Sequence, residues 1–600
     1  SYAQRLTAFN AVDFDDLIAL PVRVLDNDED IRAKWQSKYR YLLVDEYQDV
    51  NRGSVRLLGA LSGTGENLWA VGDSKQSIYR FRGASSFNVS RFGNDDFPGG
   101  EYGRLKINYR SVDEVVSAFS QFAVQMETGG EEAVLGSDRG PSGFSPEFRT
   151  VNQSEQMPVA VADMIDAMRT TGHRYRDQAV LCRGNDKLAE FGQDLERLGI
   201  PVLFLGSLFE RPEIRELVAL LSILTDRRAM GLVRVACWPE LSMSISDVSA
   251  VLDRLRETEA PPAQWLVDLS PIPGLSEEGA TVVRKLRAVL AGFDHSSSPW
   301  TVLATVLLDR SKMAADVARR VDVGQRARGI AIWQFMNFVK IQPRGRGLPI
   351  ARLMDRIRRL LHLSDERDLR QLPAAAQGID AVRLMTMHGS KGLEFPVVHI
   401  PNLTAASMPG APQRQSCPPP VGMIEGARGT ASQLHRADHA AEQECLFYVA
   451  LSRAQDRLLM YAPTTQVDGK MRRASPFIGR LGSGLLRSHV EPTRELPPPP
   501  ESADIPLTIE DKLRFDGTQI ALYESCPRRF FYTHVLQVGG RRASTAFMQM
   551  HEAVRTVFRS VIESDKPIGD ANLEQGVDGA LAAHGLAEHG YADSYRSIAL

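Results

Sequence analysis

Two adjacent carboxylates, Asp45 and Glu46, close the apolar run Tyr41–Val44 in the stretch YLLVDEYQD. An apolar strand that ends in acids delivers them to the C-terminal edge of a parallel sheet, where such folds bind ligands. Phosphoryl transfer to water needs one carboxylate to hold Mg²⁺ and a second group to orient or deprotonate the water. Asp45 suits the first task and Glu46 the second. An isolated Asp-Glu pair is also what a solvated turn carries, so its meaning depends on its partners along the chain.

The elements that position these acids read as an α/β protein. Tyr41–Val44 and Leu68–Val71 each run into a polar loop and read as buried strands of a parallel sheet. A second set follows, with Gln178–Cys182 as a strand, Lys187–Leu198 as an amphipathic helix and Val202–Leu205 as another strand. After Thr225 the pattern is helical, through Ser246–Glu257, Gly279–Leu290 and Ile350–Leu363. Strand patterns return at Ala381–Met385, Val397–Ile400 and Arg457–Met460, so an α/β domain is interrupted by a helical insertion and resumed. Glu495–Pro506 (ELPPPPESADIP) reads as a stiff linker unable to pack, and Ala411–Pro420 as a surface loop.

At 600 residues the chain exceeds what one core organises, and about three to four domains are expected. No apolar run approaches the ~20 residues of a membrane-spanning helix, so no membrane partner is expected. The net charge of −3 decides nothing about nucleic acid, because DNA can be held in a local groove of an otherwise acidic surface. Five cysteines, scattered and odd in number, argue against a disulfide framework and for a reducing, cytoplasmic setting.

Five segments occur in a telling order: YLLVDEYQD, VGDSKQSIYRFRGA (Val71–Ala84), LKINYRS (Leu105–Ser111), VRLMTMHGSKGLEF (Val382–Phe395) and CLFYVALSRAQDRL (Cys445–Leu458). Together they resemble motifs II to VI of the UvrD/Rep/RecB-like superfamily 1 helicases, and VDFDDLI (Val12–Ile18) resembles a stretch that precedes motif II there. The resemblance spans roughly residues 1–480. It implies two RecA-like domains with ATP and Mg²⁺ in the cleft between them, and 3′-to-5′ movement on single-stranded DNA. By position it implies that Asp45 holds Mg²⁺, Glu46 activates water and Gln76 contacts the γ-phosphate. Arg110 and Arg453 correspond to arginine fingers, and Gly392 and Glu394 to nucleotide-binding positions, Glu394 on the ribose hydroxyl. A planar guanidinium neutralises charge on the transferring phosphoryl group, and fingers from opposite domains would make hydrolysis depend on cleft closure.

Tyr79 and Phe81, followed by Arg82, fall where the family stacks aromatic rings on DNA bases. Stacking tolerates any sequence, because every base has a π-face. Phe81 stands where the family often has tryptophan, and core packing of the two rings is the alternative. Thr386 and His388 are implied to touch the DNA backbone or to link it to the ATP cleft, with an ordinary structural role open for His388. The basic stretch Gln342–His362 reads as a solvated helix face rather than a duplex contact.

A phosphate-cradling GxxxxGK[ST] loop is absent from the chain. SGTGENL (Ser62–Leu68) lacks the GK[ST] ending. In the family this loop lies N-terminal to all the segments above, so the chain is expected to be a fragment missing its front.

TQIALYESCPRRFFYTHVL (Thr518–Leu536) resembles the start of RecB-like nuclease domains that carry an iron–sulfur cluster, as in AddAB- and AdnAB-type enzymes. The resemblance implies Cys526 as first ligand of a [4Fe-4S] cluster, and His551 as an early nuclease-site residue. Phe547 replaces the family's usual glycine, and no cysteine follows Cys526.

The expected architecture is α/β, with a first RecA-like domain over 1–145 and a second over 146–225 and 379–490. A helical insertion (226–378) divides the second domain; a linker (491–506) and the start of a PD-(D/E)XK nuclease-like domain (507–600) follow. The expected activity is that of a bacterial helicase–nuclease in double-strand break processing and recombinational repair. It would act on single-stranded DNA and duplex ends beside a second helicase–nuclease subunit. One rival is a UvrD-like repair helicase whose C-terminal module only binds DNA or a partner. Another is a scaffold subunit with a vestigial motor, against which the joint presence of Glu46, Gln76, Arg110 and Arg453 argues. Without the phosphate-cradling loop, this 600-residue chain should hydrolyse ATP negligibly with or without DNA. A DNA-stimulated ATPase rate from it would overturn the fragment expectation.

Overall fold

The computed structural model describes residues 6, 12–13, 15–79, 87–130, 133–203, 208–257, 261–267, 272–311, 313–319, 323–342, 348–363, 378–412, 423, 429–465, 469–498, 515, 517–535, 546–563, 570–587 and 592–600. The chain divides into two compact units, one of Ser1–Leu221 with Val289–Ser502 and one of Ser222–Ala288 with Ala503–Leu600.

In the first unit, β1 (Leu42–Val44) and β2 (Leu68–Ala70) pair in parallel, joined by helix α1 (Arg52–Ser62). The Asn51 side chain starts α1 by accepting from the Ser54 N–H at 2.8 Å, satisfying one of the helix's orphan donors. One face of the pair packs Val44, Leu68 and Ala70 against Tyr47, Val55 and Phe97. The other face corrects the expectation of buried strands. Leu43 is 81% exposed and Trp69 68% exposed. A short parallel pair follows, β3 (Ile107–Asn108) with β4 (Gly136–Ser137).

The main sheet has seven parallel strands: β5 (Glu147–Val151), β6 (Gln178–Cys182), β7 (Val202–Leu203), β8 (Val382–Thr386), β9 (Phe395–Ile400), β10 (Ala454–Pro463) and β11 (Leu486–His489). Their spatial order is β11-β5-β10-β9-β6-β8-β7. The sheet is therefore left after Leu203 and re-entered at Val382, which pairs with Val202. The described residues between those strands form helices and turns, as the patterns suggest.

Parallel strands must be covered on both faces, because their crossovers run over them. On one side lie α2 (Asp113–Val124) and α3 (Ala431–Leu451), locked by the edge-to-face rings of Phe122 and Phe447 at 5.1 Å. Helices Met157–Thr170 and Asn185–Arg197 cover the other. Residues 113–124, which the expected boundary at 145 places with the first domain, thus pack in the core of the second sheet.

The expected linker also departs from expectation at its start. Thr493 Oγ1 donates to Asp163 Oδ2 at 2.8 Å, Arg494 pairs with Asp163 and Asp166 at 3.0 Å each, and Leu496 packs against the sheet's core. An arginine fork between two carboxylates on one helix holds the chain there despite the prolines beyond it.

Among its described residues the second unit consists of helices joined by turns and coil, with no strand. Asp247, near the start of Ile245–Glu257, accepts from Ser244 Oγ, Ser276 N–H and Ser276 Oγ at 2.7, 2.8 and 2.9 Å, which binds two helix starts together. Phe531 packs against Ala236, Val248 and Leu252. Ala546–Glu563, Asp570–Ala583 and Ala592–Ala599 form a separate apolar cluster.

A buried histidine in the main sheet gives a pH signature. His399 Nδ1 lies 3.0 Å from the Tyr461 hydroxyl and Nε2 3.1 Å from Gln178 Oε1, with no exposed surface. Burial lowers its pKa from 6.5 to about 3. Between those values the unfolded chain binds a proton that the folded sheet refuses, so stability is complete above pH 6.5 and falls as pH drops toward 3. The loss should reach about 2 kcal/mol by pH 5. Denaturant titrations of wild type and His399→Gln at pH 7 and 5 should show the variant losing less; equal losses would exclude His399 as the source.

Candidate active site

The acidic side of the site follows β1. Asp45 is exposed, and its Oδ1 accepts from the Glu46 N–H at 2.9 Å. Glu46 has φ 52° and ψ 42°, a left-handed conformation that costs a residue with a Cβ about 1–2 kcal/mol. Its side chain is held by Gln48, whose amide nitrogen donates to Glu46 Oε2. Gln48 is 1% exposed and ties this turn to the one after β2. Its Oε1 accepts from the Asp73 N–H at 2.9 Å, and its backbone carbonyl from Ser77 Oγ at 3.2 Å. The approach requires glycine at 72, since a Cβ there would lie 2.6 Å from Gln48 Oε1 and 3.2 Å from Tyr47 N. Asp73 in turn receives Gln76 Nε2 at 3.0 Å and the Lys75 ammonium at 2.7 Å.

The basic side belongs to the main sheet. Arg453 follows α3 and is 2% exposed. Its guanidinium donates to Val449 O, Leu393 O and Ser452 Oγ, each at 3.0 Å. Burial lowers its pKa to about 10, with Arg110 pushing the same way, so it stays charged near neutrality. Arg110 was expected on the domain opposite Arg453, and the structure corrects this. Ser111 Oγ donates to Ala454 O at 2.6 Å and the Val112 N–H to Gln455 O at 2.9 Å, which mounts Arg110 beside Arg453 on the same sheet. The reason is α2, which packs into that sheet's core immediately afterwards. Glu394 faces Arg110, Oε2 to Nε at 2.6 Å, and its pKa is lowered chiefly by that bond. Gly392 is exposed, with φ 80°.

Lys391 joins the two sides and was not anticipated. Its ammonium lies 2.6 Å from Asp49 Oδ2 and 3.2 Å from Glu46 Oε2, and donates to Gln76 O at 2.8 Å. The side chain is 7% exposed. Nothing local in HGSKGLEF announces these partners, since Asp49 is 342 positions away. Gln48 and Asp49 were likewise missed, although both stand in the DEYQD stretch.

Of the positions expected to meet DNA, Tyr79 is half-buried against the main core, its ring centroid 5.3 Å from the Lys391 ammonium. Phe81 and Arg82 lie outside the described residues. Thr386 ends β8 and its hydroxyl accepts from the Gly389 N–H at 3.1 Å; His388 begins the next turn, half-buried. Cys526 is an exposed free cysteine, and His551 is exposed on the helix Ala546–Glu563. Among the described residues no three His, Cys, Asp or Glu side chains are grouped to hold a metal, and the expected iron–sulfur and nuclease centres gain no support.

Residues 1–97 match the UvrD/REP helicase N-terminal domain, and residues 104–251 with 348–464 match the UvrD-like helicase C-terminal domain. The chain is 29% identical over 477 residues to the ATP-dependent DNA helicase Rep of Escherichia coli, covering 76% of this chain and 65% of that protein. It is 25% identical over 498 residues to the ATP-dependent DNA helicase PcrA of Bacillus subtilis, covering 81% and 64%. With the ATP-dependent DNA helicase UvrD1 of Mycobacterium tuberculosis it shares 28% over 490 residues, covering 76% and 59%. The chain thus spans less than two thirds of the length of these relatives.

Gln48→Ala should destabilise the first unit by about 1 kcal/mol or more, because it removes a nearly fully buried side chain that bonds the half-buried Asp73 N–H. Gly72→Ala should act in the same direction by driving Gln48 off that N–H. Urea midpoints at constant slope read both effects, and unchanged midpoints would mean that Gln48 does not join the two turns.

Proposed function

We propose that this chain, which matches the UvrD-type helicase domains over residues 1–97, 104–251 and 348–464 and is 29% identical to a Rep helicase, is a UvrD/Rep-type superfamily 1 helicase. It forms the greater part of an ATP-driven 3′-to-5′ motor on single-stranded DNA that serves repair or replication. The observation that carries the reading is the cleft itself. Glu46, Asp49 and Gln76 sit at the ends of one parallel pair, facing Lys391, Arg110 and Arg453 on a second sheet. Acids on one wall and cations on the other suit a nucleoside triphosphate with its metal.

The acidic donor set fits Mg²⁺, because a cation, the Lys391 ammonium, already lies between Glu46 and Asp49. Asp45 would hold the ion, which when bound neutralises phosphate charge. Glu46, aimed by its strained turn and by Gln48, takes the proton of the attacking water. Gln76 senses the γ-phosphate, and Arg110 and Arg453 neutralise charge as it leaves. Mounted on one sheet, the two arginines approach the phosphates as a pair. The Lys391 ammonium beside Oε2 stabilises the charged form of Glu46, so its departure would make that carboxylate a stronger base. Because the same ammonium faces the Tyr79 ring, a base stacked on Tyr79 would draw on the contact that holds the acids. Phe81, Arg82, Thr386 and His388 complete the proposed DNA track, and Glu394 with Gly392 the nucleoside side.

For the C-terminal residues we propose an accessory module rather than a nuclease. The packing of Phe531 onto Ala236, Val248 and Leu252 supports this, since it makes the segment part of a helical unit.

The test is Glu46→Gln in the full-length protein. Nucleotide affinity should stay within about twofold while DNA-stimulated turnover falls by at least ~10²-fold, the lower range for loss of a general base. An equal fall in affinity would show that Glu46 serves binding and not water activation.

A further inference from the structure

Arg110 is already occupied by an anion. Its Nε donates to Glu394 Oε2 at 2.6 Å, and its NH1 reaches Ser452 O at 3.4 Å. Glu394 does not depend on Arg110 alone for its place, because Gln455 Nε2 holds the other carboxylate oxygen at 2.9 Å. Gln455 also fixes the backbone under Arg110, through its carbonyl and the Val112 N–H. From the far side, Arg139 donates to Arg110 O at 2.9 Å and pairs with Asp456 at 2.7 Å. The guanidinium thus stands on a rigid mount with one carboxylate against its fork.

From this geometry we infer that Glu394 is a resident anion which holds Arg110 in place and is displaced from it by the oxygens of an incoming polyphosphate. The inference rests on the reading of the cleft as a triphosphate site and adds how that site is kept ready.

Magnitudes favour an exchange over a permanent pair. The Arg110 side chain is 31% exposed and that of Glu394 49% exposed. An ion pair so open to solvent is worth about 0–1 kcal/mol, because water and salt compete for both partners. A phosphate group offers several oxygens and more charge, and a guanidinium fork binds it in two parallel bonds. Replacing Glu394 by phosphate therefore releases little and gains more. Arg453 provides the contrast. It is 2% exposed, and its guanidinium donates to Val449 O, Leu393 O and Ser452 Oγ with no carboxylate among those three. Of the two arginines, Arg110 is the one restrained by a charge that a ligand can replace.

The same carboxylate was expected from the sequence to meet a ribose hydroxyl, so the test must separate a sugar contact from competition for Arg110. Inorganic tripolyphosphate has no sugar and serves as the probe, titrated calorimetrically into the full-length protein. Glu394→Gln keeps the side chain's shape and its bond to Gln455 while removing the competing charge. It should bind tripolyphosphate about two- to fivefold tighter than wild type, the factor set by an exposed pair. Arg110→Gln should bind it more weakly, and in that background Glu394→Gln should change nothing, since there is no longer an arginine to compete for. Both positions are open to solvent, and melting curves check that each variant is folded.

Weaker or unchanged tripolyphosphate binding by Glu394→Gln would overturn the inference. So would the same gain in the Arg110→Gln background, which would mark a general field of the carboxylate and not an exchange on this guanidinium. Failure of wild type to bind either ATP or tripolyphosphate would remove the triphosphate reading itself, and the exchange with it.

Discussion

A single ammonium group holds the two halves of the cleft in register. Lys391 is nearly buried and has three oxygen partners on the opposite wall: the carboxylates of Asp49 and Glu46 and the carbonyl of Gln76. A solvent-open ion pair would add almost nothing. The Glu46 arm, 49% exposed, falls in that class, whereas deleting Asp49, 18% exposed, would leave the nearly buried ammonium short of its nearer carboxylate and is the more costly loss. The walls are therefore held by a contact strong while dry and weakened by anything that hydrates it or offers the acids another cation. In this site a structural contact and the chemical groups are the same atoms.

Parallel strands explain how so many functional groups come to face one gap. Strands running the same way present their C-terminal ends on one edge, and the loops there collect polar residues that the strands themselves exclude. Glu46 and Asp49 follow β1, Asp73 and Gln76 follow β2, and His388 to Lys391 follow β8. Gln48 turns two such loops into one structure by bonding to both. The arginines come from outside this scheme. Arg453 leaves a buried helix, and Arg110 sits on a segment bonded to the start of β10, so both move with the second sheet.

The C-terminal segment shows where a local pattern loses its authority. Thr518–Leu536 was expected, from a resemblance, to begin an iron–sulfur nuclease domain, yet Cys526 is exposed and among the described residues no group of three His, Cys, Asp or Glu side chains could hold a metal. A metal centre is a meeting of distant side chains, and one cysteine in a suggestive setting specifies only one corner of it. The packing of Phe531 uses the same segment's aromatics to bind helices instead.

Much of the protein was legible in its residues. Short apolar runs ending in polar loops suit strands of a parallel sheet, and Gln178–Cys182 stands in the structure with those bounds while the sheet resumes at Val382. In DEYQD residue type and placement single out Asp45 and Glu46, whereas Gln76, Arg110 and Arg453 were implied only by the resemblance of GDSKQS, NYRS and LSRA to the family's motifs. Pattern does not say which wall a group stands on. Arg110 moved to the second sheet because Phe122 packs on Phe447, a choice made by the shapes of rings far apart in the chain. The strap at Thr493–Arg494 formed because two aspartates on one helix turn happened to lie beneath it. Lys391 could not be found at all, since its partners are hundreds of positions away and a lysine's meaning is set by what it is buried against. Local sequence determines which groups can act; long-range packing, which alone fixes distance and dielectric, decided which of them meet.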